Sequence, residues 1–512
     1  MQPSARFRST PSIVAVTLAT GLLLALAFPN FNQSWLAWVA LTPLLALLRD
    51  GALSARHAFR WSWLAGFVFF LVSMWWLSHV TVFGCLVLAA YLALYVGLFG
   101  LFARWAFARR PPLAVLVLLP SAWVALEYAR SHVMTGMGWN LLAYSQTGWT
   151  AVIQIADLAG AWGVSWLIVL VNAALVIATD RAAKGRIKRL ACAGLAGACV
   201  AGALAYGAQR LTQVIKKSAS VRVAVVQGNI PQDEKWDAEH QPRIQGTYDA
   251  LTRTAAEGGP DLIVWPETSV PGYFGADEAL TQRVLRLAAD TRRTLLVGAP
   301  TLQVTPGGVR LRNTAATVGA DGAIGTRHDK LHLVPYGEFI PFEQLVPWLR
   351  KVLPPIGDFT PGDAHTVFRV AGVAPFSVLI CFEDVFPELA RRFVRDGAEL
   401  LFVITNDAWF GPTAAAYQHA QASAFRAVEL RVPVARAANT GWSGCIDPTG
   451  RWNERVQDEA GQELFVAGTV TCTLPLGPAQ SLYLRWGDWL PMLCLLGAFV
   501  SLVAAWSSVR FR

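Results

Sequence analysis

Charge is what this sequence most lacks: Asp, Glu, Lys and Arg make up only 15% of 512 residues, against 54% hydrophobic. So little charge excludes an ordinary water-soluble protein, and a chain this long is more than a membrane bundle alone. Two regions must differ in solvent. Histidine is scarce as well, with 8 in the chain. Only His328 and His332 stand close together, at a spacing that carries no information outside a helix, so no metal centre is expected. No glycine loop of the phosphate-cradling kind, internal repeat or low-complexity segment occurs. The net charge is +9, but its cations lie between apolar runs and not along one polar face. That pattern argues against nucleic acid and for anionic lipid headgroups.

What the sequence has in abundance is long apolar runs, near or above the ~20 residues that carry a helix across a bilayer. Seven precede residue 210, at 12–28, 35–48, 61–77, 83–102, 113–126, 162–179 and 190–206, and an eighth, 489–506, closes the chain. The second and fifth are short enough to be re-entrant or interfacial instead. The 21 Trp and 26 Phe fit a bilayer boundary. Cations alternate along the connections. One set holds Arg6 and Arg8, then Arg49, Arg56 and Arg60, then Arg104, Arg109 and Arg110, then Arg181, Lys184, Arg186, Lys188 and Arg189, with Arg510 and Arg512 at the end. The intervening connections carry only Arg130. Cytoplasmic loops keep Lys and Arg, so the first set is cytoplasmic and the segment after the seventh run lies outside. A rival reading makes the first run a signal peptide cut after Ala25-Leu26-Ala27. An uncut start is preferred, since removing that run leaves the later alternation unchanged.

The expected organisation is a membrane domain over 1–210, an extracytoplasmic catalytic domain over 216–482 and a C-terminal transmembrane helix over 487–507. The middle segment mixes charge with short branched runs at 221–227, 261–265, 294–298, 313–318, 376–380, 400–404 and 432–437, which read as strands. Helical spacing at 279–291 and 416–430 alternates with them, as in a layered α/β sheet. Of 7 cysteines, Cys85, Cys192, Cys199 and Cys494 sit in apolar spans as small hydrophobes. Cys445 and Cys472 pair in an oxidising compartment or stay as buried thiols; spacing does not decide.

Cys381 has a different setting. It follows the apolar run 376–380 directly and precedes Phe382-Glu383-Asp384, so a buried strand ends in a thiol among carboxylates. Strand ends are where sites gather in α/β sheets. Acyl chemistry at a thiol needs a base for its proton and a cation or donors for the oxyanion. Glu267, after Trp265-Pro266 at another strand end, is the expected base. Lys330 opens Lys330-Leu331-His332-Leu333-Val334-Pro335-Tyr336-Gly337-Glu338 and is the expected cation. Taken singly, a buried carboxylate, a surface lysine and a core thiol are each commoner than catalysis; their joint occurrence reverses that order.

Trp-Pro-Glu, Lys-x-His-Leu-Val-Pro-Tyr-Gly-Glu and Cys-Phe-Glu, in this order, resemble the nitrilase superfamily with its Glu-Lys-Cys triad. Set between the seventh and eighth spans, and with Gln227-Gly228-Asn229-Ile230-Pro231-Gln232, Lys235-Trp236 and Thr405-Asn406-Asp407-Ala408-Trp409-Phe410-Gly411, they resemble the bacterial apolipoprotein N-acyltransferase family along essentially the whole chain. The resemblance implies an αββα sandwich between membrane helices and an acyltransferase of the bacterial inner membrane. A fatty acyl chain would pass from a phospholipid, typically phosphatidylethanolamine, through a Cys381 thioester to the α-amine of a diacylated apolipoprotein. No cofactor or metal is implied, and the working unit would be a monomer. Glu338 and Glu383 match supporting residues; Phe382 stands where a Tyr is common. A membrane-tethered amidase would share the triad and let water resolve the thioester. A scaffold would need no thiol.

For substrate binding, the candidates are Trp236, Trp348, Phe382 and Trp409. The stretch 336–356 is apolar for an exposed domain, with Phe339, Ile340, Trp348 and Leu349, and is expected to be a lid resting on the outer leaflet. Trp75, Trp76, Trp139 and Tyr144 lie near span ends, where they would line a lateral opening.

Overall fold

A computed structural model describes residues 9–179, 186–214, 219–306, 308–340, 357–477 and 479–510. The chain divides into two compact units. One comprises Met1–Gln213, Thr413–Gln418 and Ser481–Arg512; the other comprises Val214–Pro412 and His419–Gln480.

The first unit is helical. Among the described residues, four helices are long and apolar enough to cross a membrane: Val82–Arg109, Pro112–His132, Ala161–Ala178 and Arg186–Gln213. Shorter apolar helices cover Thr10–Leu26, Ser34–Arg49 and Trp489–Ser501. The fifth apolar run of the sequence is therefore one continuous helix of 21 residues, sufficient for a crossing. The second is broken into Ala37–Ala40 and Thr42–Arg49. Pro43 supplies no amide there, and Asn172 of Ala161–Ala178 completes what the break leaves open. Its Oδ1 accepts from Leu41 N at 2.9 Å and Thr42 N at 3.1 Å, while its Nδ2 donates to Ala37 O at 3.0 Å. Buried backbone amides need such partners, most of all in lipid.

Arg130, the lone cation read as lying in an outer connection, is instead buried in the last turn of Pro112–His132. It donates to Met137 O at 2.9 Å and Trp139 O at 2.7 Å, and Glu127 accepts from Leu142 N at 2.8 Å. Together they fold the following segment back on the helix. Trp76, Trp139 and Tyr144 are buried, and Trp75 is half-exposed. The indoles of Trp76 and Trp139 both donate to Oε1 of Gln418, which belongs to this unit. These three are packed side chains and do not form the edge of an opening.

The second unit is a sandwich of two sheets. Strands β1 (Ala219–Gln227), β2 (Leu262–Val264), β3 (Thr294–Thr305), β4 (Gly308–Val318), β5 (Ile324–Asp329) and β11 (Gly468–Leu476) form a sheet in the order β11-β1-β2-β3-β4-β5. Strands β6 (Phe376–Ile380), β7 (Leu400–Thr405), β8 (Val434–Ala438), β9 (Gly444–Ile446) and β10 (Trp452–Arg455) form the other, in the order β10-β9-β8-β7-β6. β1, β2 and β3 run parallel, as do β6, β7 and β8.

Alternation along β1 shows how the layers form. Val223 and Val225 point into the core shared by both sheets, with Val378, Ile380, Phe402 and Ile404. Ala224 and Val226 point the other way, against Ile244 and Tyr248 of helix Gln241–Glu257 and Leu280, Val284 and Leu287 of helix Glu278–Thr291. Both faces are buried, as parallel strands require. Helix Pro387–Arg395 packs on β6, and the His419–Leu430 part of helix Ala415–Leu430 is buried along its length.

Cys445 of β9 and Cys472 of β11 are bonded, 27 residues apart, joining one sheet to the other. The alternative of two free thiols falls. A loop of this length contributes about 2–4 kcal/mol. The Cys445→Ala/Cys472→Ala double variant is expected to melt roughly 5–10 °C below wild type by thermal circular dichroism, and added reductant should shift the wild type towards it.

Candidate active site

Each residue of the expected triad sits where a strand ends. Glu267 follows β2, Lys330 follows β5 and Cys381 follows β6. The two glutamate-bearing turns reach across the sandwich to each other's sheet. Glu267 Oε2 accepts from Asn406 N, just past β7, at 2.9 Å. Glu383, just past β6, accepts from Leu331 N at 2.6 Å and His332 N at 2.9 Å, just past β5, and from Ile380 N at 2.7 Å.

Glu267, Lys330 and Glu338 form one buried cluster. Lys330 Nζ lies 3.4 Å from Glu267 Oε1 and 2.9 Å from Glu338 Oε2. Asn313 of β4 bridges the two carboxylates, donating to Glu267 Oε1 at 2.8 Å and Glu338 Oε1 at 3.1 Å. Lys330 N donates to Asn313 O at 2.8 Å, which fixes the base of the lysine to the same strand. Burial alone would lower the ammonium's pKa, but Glu338, Glu267 and Cys381 together hold it above the ordinary lysine value. Lys330 is a permanent cation here.

Cys381 has φ 56°, the left-handed region that side chains other than glycine rarely adopt. Such a turn costs about 1–3 kcal/mol and persists only where its surroundings impose it. It lifts the side chain off the end of β6. Burial and the Glu267 charge push the thiol's pKa up, against the pull of Lys330 and a hydrogen bond from Thr405. The thiol therefore keeps its proton at rest. For this sulfur to act as a nucleophile, a base would have to take that proton.

Glu383 is buried and its pKa is pushed up to about 7 by desolvation, opposed by the Ile380 and His332 amides, Lys330 and the Leu331 amide. It presents no free oxygen to a substrate; it ties the Lys330 segment to the Cys381 turn. Glu383→Gln sets an amide NH2 against backbone N–H groups and is expected to cost about 1–3 kcal/mol in stability. Activity is expected to fall roughly tenfold with little change in KM, as checked by denaturant melts and steady-state kinetics.

Of the binding candidates, Trp236 is half-exposed, Trp409 is partly buried, and Phe382 is buried with its ring 5.1 Å from that of Phe386. Trp348 and most of the expected lid lie outside the described residues. Sequence reasoning gave no role to Asn313, which lay inside an expected strand, or to Lys235. Lys235 is buried, donates to Glu267 O at 3.2 Å, and burial brings its pKa down to about 8, offset in part by Glu267 and Cys381. Its one signal in the sequence was the Lys235-Trp236 pair, three residues beyond the Gln227–Gln232 stretch.

A buried carboxylate and lysine beside a thiol on a left-handed strand-end turn define an enzyme of the carbon-nitrogen hydrolase class, and the family model for Carbon-nitrogen hydrolase matches residues 222–475. The family model for the Apolipoprotein N-acyltransferase N-terminal domain matches residues 20–174. The apolipoprotein N-acyltransferase of Geobacter metallireducens is 38% identical over 95% of this chain and 94% of its own length. That of Methylococcus capsulatus is 32% identical over 96% and 95%. An amidase of the nitrilase superfamily from Nesterenkonia aligns with 53% of this chain and 95% of its own at TM-score 0.38 and 21% identity. The chain belongs to the apolipoprotein N-acyltransferase family.

Proposed function

We propose that this protein moves a fatty acyl chain from a phospholipid, phosphatidylethanolamine being the expected donor, to the N-terminal α-amine of a diacylated apolipoprotein. The observation that carries the reading is the buried Glu267–Lys330–Glu338 cluster beside a protonated Cys381. Glu267 takes the thiol proton as Sγ attacks the ester carbonyl, and Lys330 stabilises the oxyanion. Collapse breaks the ester C–O bond, and the lysophospholipid oxygen leaves with the proton from Glu267. The acceptor amine then attacks the thioester and gives a proton to Glu267, which passes it to the departing sulfur. Atoms balance without a cofactor.

The Cys445–Cys472 bond supports an oxidising compartment for the catalytic unit. The alternation of cations supports eight spans with that unit on the periplasmic side of the inner membrane. A monomer is the working unit this reading expects. Trp236 and Trp409 are suited to contact acyl chain or acceptor.

The test is intact-protein mass spectrometry of the purified full chain after incubation with phosphatidylethanolamine. An acyl-sized, hydroxylamine-labile adduct that disappears on adding a diacylated lipopeptide, with one acyl chain gained by the peptide, is expected. An adduct that decays to free fatty acid with no acylated peptide would make the protein a hydrolase. No adduct and no consumption of lipid would remove the acyl-enzyme route.

A further inference from the structure

Beneath the Cys381 turn lies a second ionic cluster that the acyl-transfer steps do not use. His419 is buried, with Nδ1 3.0 Å from Asp407 Oδ1. Its Nε2 is 2.8 Å from Asp384 Oδ1 and 3.1 Å from the carbonyl oxygen of Cys381. Arg436 of β8 lies on the far side of both carboxylates, 3.1 Å from Asp384 Oδ2 and 3.3 Å from Asp407 Oδ2. Ser423 donates to Asp384, and Arg426 donates to the Asp384 carbonyl at 3.1 Å.

Three acceptors lie within hydrogen-bonding distance of the imidazole nitrogens: two carboxylate oxygens and a carbonyl. A neutral ring would turn a lone pair towards one of them. Both nitrogens must therefore carry protons, and the cluster then holds two anions and two cations, balanced without solvent. The electrostatics agree. Burial and Arg436 push the imidazole pKa down, but Asp384 and Asp407 outweigh them and raise it to about 9. The same cluster holds both aspartates below their ordinary range.

We propose that His419 is a positioning residue for acyl transfer: gripped by Asp384 and Asp407, its charged N–H pins the Cys381 carbonyl and so holds the left-handed turn that presents Sγ to Glu267 and Lys330. The grip holds the turn at two points, because Asp384 is itself part of the Cys381–Val385 turn. The inference rests on Cys381 being the acyl carrier. The charged and polar groups that act on His419 include Asp384, Asp407, Arg436 and the Cys381 carbonyl. Of these, none but His419 itself changes charge between pH 7 and 10, since the aspartates are held low and arginine stays protonated.

The experiment uses the full-length protein with phosphatidylethanolamine as donor and a diacylated lipopeptide as acceptor, comparing wild type, His419→Gln and His419→Ala between pH 6 and 10. In wild type, kcat is expected to fall as pH rises through about 9, where His419 loses its second proton. His419→Gln keeps one donor but has no proton to lose; its kcat should drop about tenfold with donor KM within roughly twofold, and the limb near pH 9 should vanish. His419→Ala should lose about a hundredfold. A limb that stays in His419→Gln belongs to another group, Lys235 foremost, and overturns the proposal. So does His419→Ala with wild-type kcat, or a wild type with no loss up to pH 10, the last readable even if neither variant folds. A hydroxylamine-labile acyl adduct on Cys381→Ala would instead overturn the acyl-carrier reading beneath it.

Discussion

Cys381→Ser is expected to form no hydroxylamine-labile adduct and to lose transfer by at least ~10⁴-fold, with the fold intact. A serine hydroxyl is a far weaker acid than the thiol, and this site already disfavours the thiolate through burial and the Glu267 charge. Nothing at the Cys381 turn compensates: Lys330 is committed to two carboxylates, and the Thr405 hydrogen bond is one neutral donor. Losses of this size follow when the nucleophile of a covalent mechanism is removed while binding and oxyanion donors stay. Loss should appear in kcat, with donor KM nearly unchanged. The check is a single-turnover assay by mass spectrometry beside a thermal melt; residual turnover above a thousandth of wild type at unchanged melting temperature would count against the mechanism.

Lys330→Met should show two separable effects. The first is catalytic: loss of the cation proposed to stabilise the oxyanion is expected to lower kcat by about 10²–10³-fold. The second is structural, because methionine leaves Glu267 and Glu338 buried and facing each other across Asn313. Breaking a buried ion pair from one side costs about 3–5 kcal/mol. Adding Glu338→Gln removes the orphaned charge, so Lys330→Met/Glu338→Gln should recover most of the melting temperature and none of the rate. Recovery of both would mean that Lys330 acts only as a structural counter-ion.

The sequence made the catalytic unit legible because its strands are short, branched and buried. The runs at 376–380 and 400–404 coincide with β6 and β7 to within a residue. β5 and β10 went unread because their side chains are largely exposed and polar, as in Arg327 and Glu454. β11 went unread because Pro475 and several threonines break the apolar alternation. Helix Gln241–Glu257 was missed since its buried face is only Ile244, Tyr248, Thr252 and Ala255, two of them small or polar.

Glu267, Lys330 and Cys381 were visible for a different reason: strand-end position and motif order suffice to nominate a triad. Asn313 and His419 were not, because their importance lies in what they touch across long sequence separations. His419 meets Cys381 over 38 positions, and Asn313 meets Glu267 over 46. Arg130 was misassigned because a charge-counting rule sees a loop cation where the helix in fact buries it against backbone carbonyls.

The helix break at Leu41 bears on how the chain is made. In a bilayer, the amides of Leu41 and Thr42 meet a side-chain partner in Asn172, 131 and 130 residues downstream. Until Ala161–Ala178 has been synthesised, those donors face hydrocarbon or must stay near water. One asparagine that arrives late in synthesis thus completes the hydrogen bonding of a break made early in the chain.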